Sequence, residues 1–560
     1  MQPLDEANID ILFRETEEAP CQIASLNLIG PSANGETITL AHVLEVLGER
    51  VPATAHGRQR LVQAPMQPEQ AYWIDDEHFS IQRHVTHQDQ SGVRSVNGLL
   101  KLSAELAARP LPRDRPLWQV VFFDGLRLKD KPELTAAILV VIHEVLIEDS
   151  SGEQVLDWLL DFTPDEQRTI EPRPFNPEPV PGTLVMLGRS PMSLLQVPFR
   201  LVGRVKDTAA SMFYQLLMER LEKLPFPGRL LRSRPAGFNN PVTSARTASN
   251  FQCDLQRLQS LKALSSKATL NDVILTLISL VIELWQKQGD APETHDTPVT
   301  EQGTAERRRR NSLIALEPVS VRSTRINTPV GSELTAMLID LSLEQTVPAD
   351  RLETIHNNAL ASKIYQQAIS ASRLRGTAPS AMLGLAARVY GEFQLAQQHK
   401  PLFNLPITNI PGPAAPLYFG DFPVPDKLGL TPLYNNLGLA VVVISYNGKM
   451  NFTLHYCQDL MPPLGELSTL FETAIVQLHD SLSAATPPAL APDQAEDTHP
   501  AAASGLAGLI GDLKRIFQGL ARNSLAEAMV KKQRQAKADT SETTSAEPPR
   551  DVLHGEDSER

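Results

Sequence analysis

Between Ala136 and Ile142 every residue is apolar. The run is too short to cross a membrane and rich in β-branched side chains, so it reads as a strand buried on both faces. It breaks into His143-Glu144 and, a few residues later, Glu148-Asp149. Ionisable groups at the end of a buried strand are costly unless paired, so these four are either an internal salt-bridge set or a site. The residues alone leave both readings open.

The segments around this run are organised as strands and helices. Gln22 to Ile29 alternates with period two, as a half-buried strand should. Thr39 to Arg50 carries Leu40, Val43, Leu44 and Leu47 at helical spacing, and Phe79 to Val85 reads as another short strand. Pro116 fixes the entry to an apolar run that ends in Asp124-Gly125, a turn signal. Two strands about that turn form an antiparallel pair, the second ending at the ionisable cluster.

Residues 164–182 are proline-rich, and Thr183 to Leu231 has helical spacing interrupted by Pro191 and Pro198. A second globular unit begins near Pro235. In it, Thr269 and Asp272 form a capping box ahead of Val273 to Ile282, which is apolar almost all round and reads as a buried helix. The polar stretch 287–312 is a solvated insertion. Leu313 to Val321 and Leu334 to Leu343 are strands, and Pro348 to Gln367 is a helix. Asn447-Gly448 between Leu439–Tyr446 and Met450–Tyr456 marks a tight hairpin, because that pair accepts positive φ at both turn positions.

The expected division is therefore 1–163, a connector 164–234, a second domain 235–482 and a tail 483–560. The tail shifts to Ala, Pro, Thr, Asp and Glu, a disordered composition, except for 504–532. There Leu506, Leu509, Ile510, Leu513, Ile516, Phe517 and Leu520 share one helical face, suited to a lipid surface, the protein's own core or a partner chain.

Composition excludes some classes of function. With 52 Lys+Arg against 65 Asp+Glu, the net charge of -13 disfavours nucleic acid as a partner. Cys21, Cys253 and Cys457 lie far apart without a CxxC pair, which argues against a disulfide framework, a zinc site or any other metal. The acidic, polar N-terminus is unlike a secretory signal, and no run reaches the ~18 apolar residues of a membrane span. A reducing, cytoplasmic location is expected.

Six short elements occur in a fixed order. They are Pro116-Leu117-Trp118 with Gly125-Leu126, Asn239-Asn240-Pro241 with Arg246, Asn271-Asp272, Pro318-Val319-Ser320-Val321-Arg322, Thr408-Asn409-Ile410-Pro411-Gly412-Pro413, and Ser445-Tyr446-Asn447-Gly448. Together they resemble the bacterial wax ester synthase/diacylglycerol acyltransferase family of the CoA-dependent acyltransferase superfamily, over about residues 1–480. The resemblance implies an α/β fold of two chloramphenicol-acetyltransferase-like subdomains meeting at a substrate tunnel. It implies acyl-CoA as co-substrate, no further cofactor, and a fatty alcohol or diacylglycerol as acceptor, with peripheral contact to a membrane or lipid droplet. Related condensation domains take the acyl group from a carrier protein instead.

The family's HHxxxDG signature supplies a general base through its second histidine. Aligned without gaps, His143 takes the first His, Glu144 the second, Glu148 the Asp and Asp149 the Gly. The base position thus holds a carboxylate, about 2 units less basic than imidazole at reference values, a gap that burial narrows. Neighbouring strand side chains point to opposite faces, so His143 is expected to face away from the tunnel. Glu144, His143 and Glu148 are the catalytic candidates.

Asp149, Asn271, Asp272, Trp118, Arg322, Asn409 and Ser445 are candidates for substrate contact or structure. Asp272 suits a helix cap and Trp118 the core. Arg322 suits either a pair with Glu148 or Asp149 or a plain strand-end charge. Ser445 and Tyr446 either contact an acyl group or pack. A catalytically impaired relative that binds acyl-CoA or lipid, as a regulator or partner of an active enzyme, is the alternative function.

Overall fold

The first half lays down, in chain order, β1 (Gln2–Pro3), α1 (Glu6–Arg14), β2 (Gln22–Ile29), α2 (Leu40–Arg50), β3 (Gln59–Ala64), β4 (Gln67–Asp75), β5 (Val85–Asp89), α3 (Val96–Ala107), β6 (Trp118–Asp124) and β7 (Ala136–His143). The second half gives β8 (Arg246–Asp254), α4 (Leu255–Ala263), α5 (Leu270–Gly289), β9 (Ile314–Val321), β10 (Glu333–Asp340), α6 (Pro348–Ala371) and β11 (Leu405–Pro411). It continues with β12 (Leu417–Phe419), β13 (Phe422–Val424), β14 (Asp426–Leu430), β15 (Leu439–Tyr446), β16 (Lys449–Cys457) and α7 (Leu467–Ala485).

The structure, a computed structural model, describes residues 2–4, 6–54, 56–64, 67–147, 159–164, 172–177, 179, 236–289, 313–321, 333–371, 403–461 and 466–485. Glu148, Asp149, Arg322, most of the connector and insertion, and the amphipathic segment 504–532 lie outside the described residues. The chain clusters into units 1–486 and 487–560, and every described residue belongs to the first.

β7 is the centre of a five-stranded sheet ordered β14-β2-β7-β6-β5. All eight of its residues are buried, as the uninterrupted apolar run requires. Ala137, Leu139 and Val141 face a core shared with α3 and β4. Ile138, Val140 and Ile142 face another, which takes in α2, β12, β13, and Val442 and Ile444 of β15. The antiparallel pair about Asp124-Gly125 is present, with Gly125 at φ 65°, but a loop to Ala136 joins the strands in place of a tight turn.

A six-stranded mixed sheet, β10-β9-β11-β15-β16-β8, organises the second half. The helices α5, α6 and α7 cover one of its faces. The β15–β16 hairpin turns at Asn447 and Gly448 with φ 50° and 72°, the mirror-image turn that matches strand twist. α5 starts with a reciprocal cap. Asp272 Oδ2 accepts from Thr269 N at 2.7 Å, and Thr269 Oγ1 accepts from Asp272 N at 3.2 Å.

Two features differ from the local reading. The expected strand Phe79–Val85 is a helical turn at Ile81–Arg83, with β5 starting only at Val85. Arg83 N and His84 N close this turn by donating to Ser80 O and Ile81 O, after a loop in which the backbone carbonyl of buried Asp76 accepts from Phe79 N and its carboxylate from His78 N. The other is β14, which comes from the second half of the chain yet forms the edge of the first-half sheet, pairing Leu428 with Leu26. The two sheets are thus tied by a shared segment as well as by packing. No helix among the described residues is long and apolar enough to cross a membrane.

Candidate active site

β7 ends where two backbone bonds fix the next residues. His143 N donates to Leu117 O and Glu144 N to Cys21 O, both at 2.9 Å. One helical turn, Glu144–Leu146, then lifts the chain off the sheet. The His143 ring closes that turn, its Nδ1 accepting from Val145 N at 3.1 Å. A ring that accepts at Nδ1 carries its proton on Nε2, which stands 3.3 Å from Glu15 Oε1. Glu15 in turn pairs with Arg113. Burial first, and the Arg113 charge second, push the His143 pKa down to about 3. His143 is therefore a neutral structural ring with both nitrogens engaged.

Glu144, the first residue of the helical turn, diverges from it and meets the second half of the chain. Its Oε1 accepts from Tyr434 Oη at 2.6 Å. Its Oε2 is buried and has no hydrogen-bond partner among the described residues. Tyr434 lies four residues beyond β14, so the shared edge strand carries the phenol to the carboxylate. Burial, followed by the Glu144 charge, raises the Tyr434 pKa well above the phenol range, which keeps Oη a donor. The Arg14 guanidinium lies 5.3 Å from the Tyr434 ring centroid. Buried Cys21 completes the surroundings; burial and Glu144 push its thiol up, so it is not an ionised nucleophile.

The remaining candidates sit elsewhere. Trp118 is core, stacked on His84 at 4.2 Å with its Nε1 donating to Gly57 O. Asn409 Nδ2 donates to Asn271 Oδ1 at 3.0 Å, and Asn271 Nδ2 to Glu317 Oε2 at 3.1 Å, linking β11, α5 and β9. Asp272, the helix cap, also contacts His356 Nδ1 at 2.8 Å.

Strand parity puts Asn409 and Glu317 with Leu405, Ile407 and Ala315, on the face covered by the helices. Ser445 accepts from Gly412 N through its backbone oxygen at 2.8 Å, while Tyr446 Oη is held between Leu417 N and Val424 O. A Cβ on Gly412 would come 2.6 Å from Ser445 O, which explains the glycine there. No hydrogen bond among the described residues joins this group to Glu144. No group of described His, Cys, Asp or Glu side chains fits a metal ion.

The order of elements and the two linked sheets can be set beside known proteins. The wax ester synthase/diacylglycerol acyltransferase catalytic domain matches residues 1–274, and the C-terminal domain of the same family matches 330–479. The chain belongs to this family. A Mycobacterium tuberculosis relative described as a diacylglycerol O-acyltransferase is 25% identical over 491 residues, covering 85% of this chain and 90% of the relative. Another from that species, of the same description, is 24% identical over 493 residues, covering 84% and 97%. The solved wax ester synthase/diacylglycerol acyltransferase from Marinobacter aquaeolei VT8 shares the fold, with a TM-score of 0.62, 19% identity, and coverage of 86% of this chain and all of that one.

Tyr434 and Glu317 were missed from sequence. Tyr434 follows no motif, and only the pairing of β14 with β2 brings it to Glu144. Glu317 had a signal, a carboxylate inside the apolar strand Ile314–Val321.

Proposed function

We propose that this family member is an acyl-CoA-dependent O-acyltransferase that joins a long-chain acyl group to a fatty alcohol or a diacylglycerol. The observation that carries the reading is the buried Oε2 of Glu144, which has no hydrogen-bond partner among the described residues, at the strand end where both halves of the chain meet. In the proposed step Oε2 takes the proton of the acceptor hydroxyl as that oxygen attacks the thioester carbon. The carbon–sulfur bond breaks, the CoA thiolate leaves, and the proton passes from Glu144 to the thiolate. Tyr434 orients the carboxylate from Oε1, leaving Oε2 for the substrate. A carboxylate can act this way when it is positioned within hydrogen-bond reach of the hydroxyl it deprotonates. The segment 504–532, with its apolar residues at helical spacing, would hold the enzyme at the surface where such substrates collect.

A second reading follows from the carboxylate itself, which stands for the base histidine when residues 143–149 are set without gaps against the family signature: the chain binds acyl-CoA or lipid without turnover. Purified protein incubated with hexadecanoyl-CoA and either hexadecanol or a diacylglycerol separates the two. Ester formation that disappears in Glu144→Ala supports the proposal. Ester made only by Glu144→His, or acyl-CoA binding without ester in any form, supports the second reading.

A further inference from the structure

β8 and β16 form the edge pair of the six-stranded sheet, and their face away from the helices meets the first half of the chain. That face is polar. Asn451 Oδ1 accepts from Asn250 and Gln252, and Thr453 Oγ1 donates to Asn250 Oδ1 at 3.1 Å. At the far end of this seam lie Arg246 and His455, 3% and 5% exposed. The register pairs Arg246 with Cys457 and Ala248 with His455, so Arg246 and His455 are diagonal neighbours on one face, with the Ala248 methyl and the Cys457 thiol beside them.

Each has one nitrogen held by a backbone carbonyl and another with no hydrogen-bond partner among the described residues. His455 Nδ1 lies 2.7 Å from Thr431 O, an acceptor only, so Nδ1 carries the proton and Nε2 is a bare lone pair. Arg246 Nη2 donates to Glu18 O. Neither His455 Nε2 nor Arg246 Nη1 has a partner among the described residues. Burial and the Arg246 charge hold the His455 pKa at about 4, so the ring is a neutral acceptor at neutral pH. Leaving a buried donor and a buried acceptor unpaired side by side is unfavourable, and one guest atom that both donates and accepts relieves both. A hydroxyl oxygen is such an atom. A trans amide carries its donor and acceptor on opposite edges and fits a single point poorly.

We propose that Arg246 and His455 form a hydroxyl-binding subsite, and that the preferred acyl acceptor carries a second hydroxyl besides the one that is acylated, as a long-chain 1,2-diol or a monoacylglycerol does. The segment Thr431–Tyr434 supports both places, since Thr431 holds His455 and Tyr434 holds Glu144. This inference rests on the acyltransferase reading above.

The test uses the full chain with hexadecanoyl-CoA and compares kcat/KM for hexadecane-1,2-diol with that for hexadecanol. A site that leaves buried polar groups unpaired discriminates against the analogue lacking the hydroxyl, so wild type should favour the diol by at least about tenfold. His455→Leu, Arg246→Met and the double variant should bring that ratio towards one. Equal use of both acceptors by wild type overturns the subsite and leaves the pair bridged by a structural water only. A changed KM for the acyl-CoA with an unchanged acceptor ratio also overturns it, by assigning the pair to the donor. If the variants do not fold, the wild-type ratio decides alone. No ester from any acceptor removes the acyltransferase reading itself, and this inference with it.

Discussion

Glu144 and His143 are adjacent in sequence and opposite in circumstance. The imidazole has both nitrogens engaged, while one buried oxygen of the carboxylate has no hydrogen-bond partner among the described residues. Glu144→Gln is expected to lower kcat by at least about a hundredfold, the usual contribution of a positioned base, with ester release from acyl-CoA as the measurement. Tyr434→Phe removes only the orienting bond and should cost less, about tenfold. Equal rates in wild type and Glu144→Gln would reject the carboxylate as base.

Glu317 is a separate case at the same scale. Burial, offset in part by its Asn271 bond and reinforced by the Asp272 charge, raises its pKa to about 7. The folded form holds a proton that the unfolded chain releases near 4.5, so the contribution is full below that value and is lost as pH rises to about 7. At about 1.4 kcal/mol per unit the loss is about 3 kcal/mol. Glu317→Gln, which can still accept from Asn271, should be more stable than wild type at pH 8 and similar at pH 4.5, by urea midpoint. His143 acts in the opposite direction, losing stability as pH falls from 6.5 towards 3, so only the comparison with the variant isolates Glu317.

At the scale of elements, β14 decides how the two halves meet. It completes the first-half sheet through β2 and presents Gly429 towards β15. A Cβ there would lie 2.9 Å from Val442 Cγ1 and 3.1 Å from Ile444 Cδ1, both on stiff β-branched side chains. Gly429→Ala should therefore destabilise by about 1–3 kcal/mol, the usual cost of overpacking, read as a lower urea midpoint with an unchanged slope. A neutral substitution would show that the sheets separate more easily than this contact implies.

The edge of β8 is managed differently. Asn97 of α3 bonds the Asn250 backbone at both N and O, so a side-chain amide closes an edge that would otherwise offer free backbone groups.

At the scale of the molecule, units 1–486 and 487–560 cluster separately. Removing residues 487–560 should leave the thermal transition of the remainder within a few degrees and weaken binding to phospholipid-coated triacylglycerol emulsions, measured by flotation. Unchanged flotation would reject a lipid role for the 504–532 face.

What the residues determined by themselves was local. The burial of β7, the cap of α5 and the Asn447-Gly448 hairpin are set by side-chain period and by φ preferences within a few positions, so a single stretch of chain carries each of them. The motif order carried the family, and it marked the strand end after Ile142 as the place of interest.

Tertiary structure decided the rest. It paired β14 with β2, some 400 positions earlier, brought Tyr434 to Glu144, tied Glu317 to Asn271, and set Arg246 diagonal to His455. None of these has a local period or spacing to read. A hydrogen bond depends on where two side chains end in space, and the intervening chain leaves that open until the strands pair.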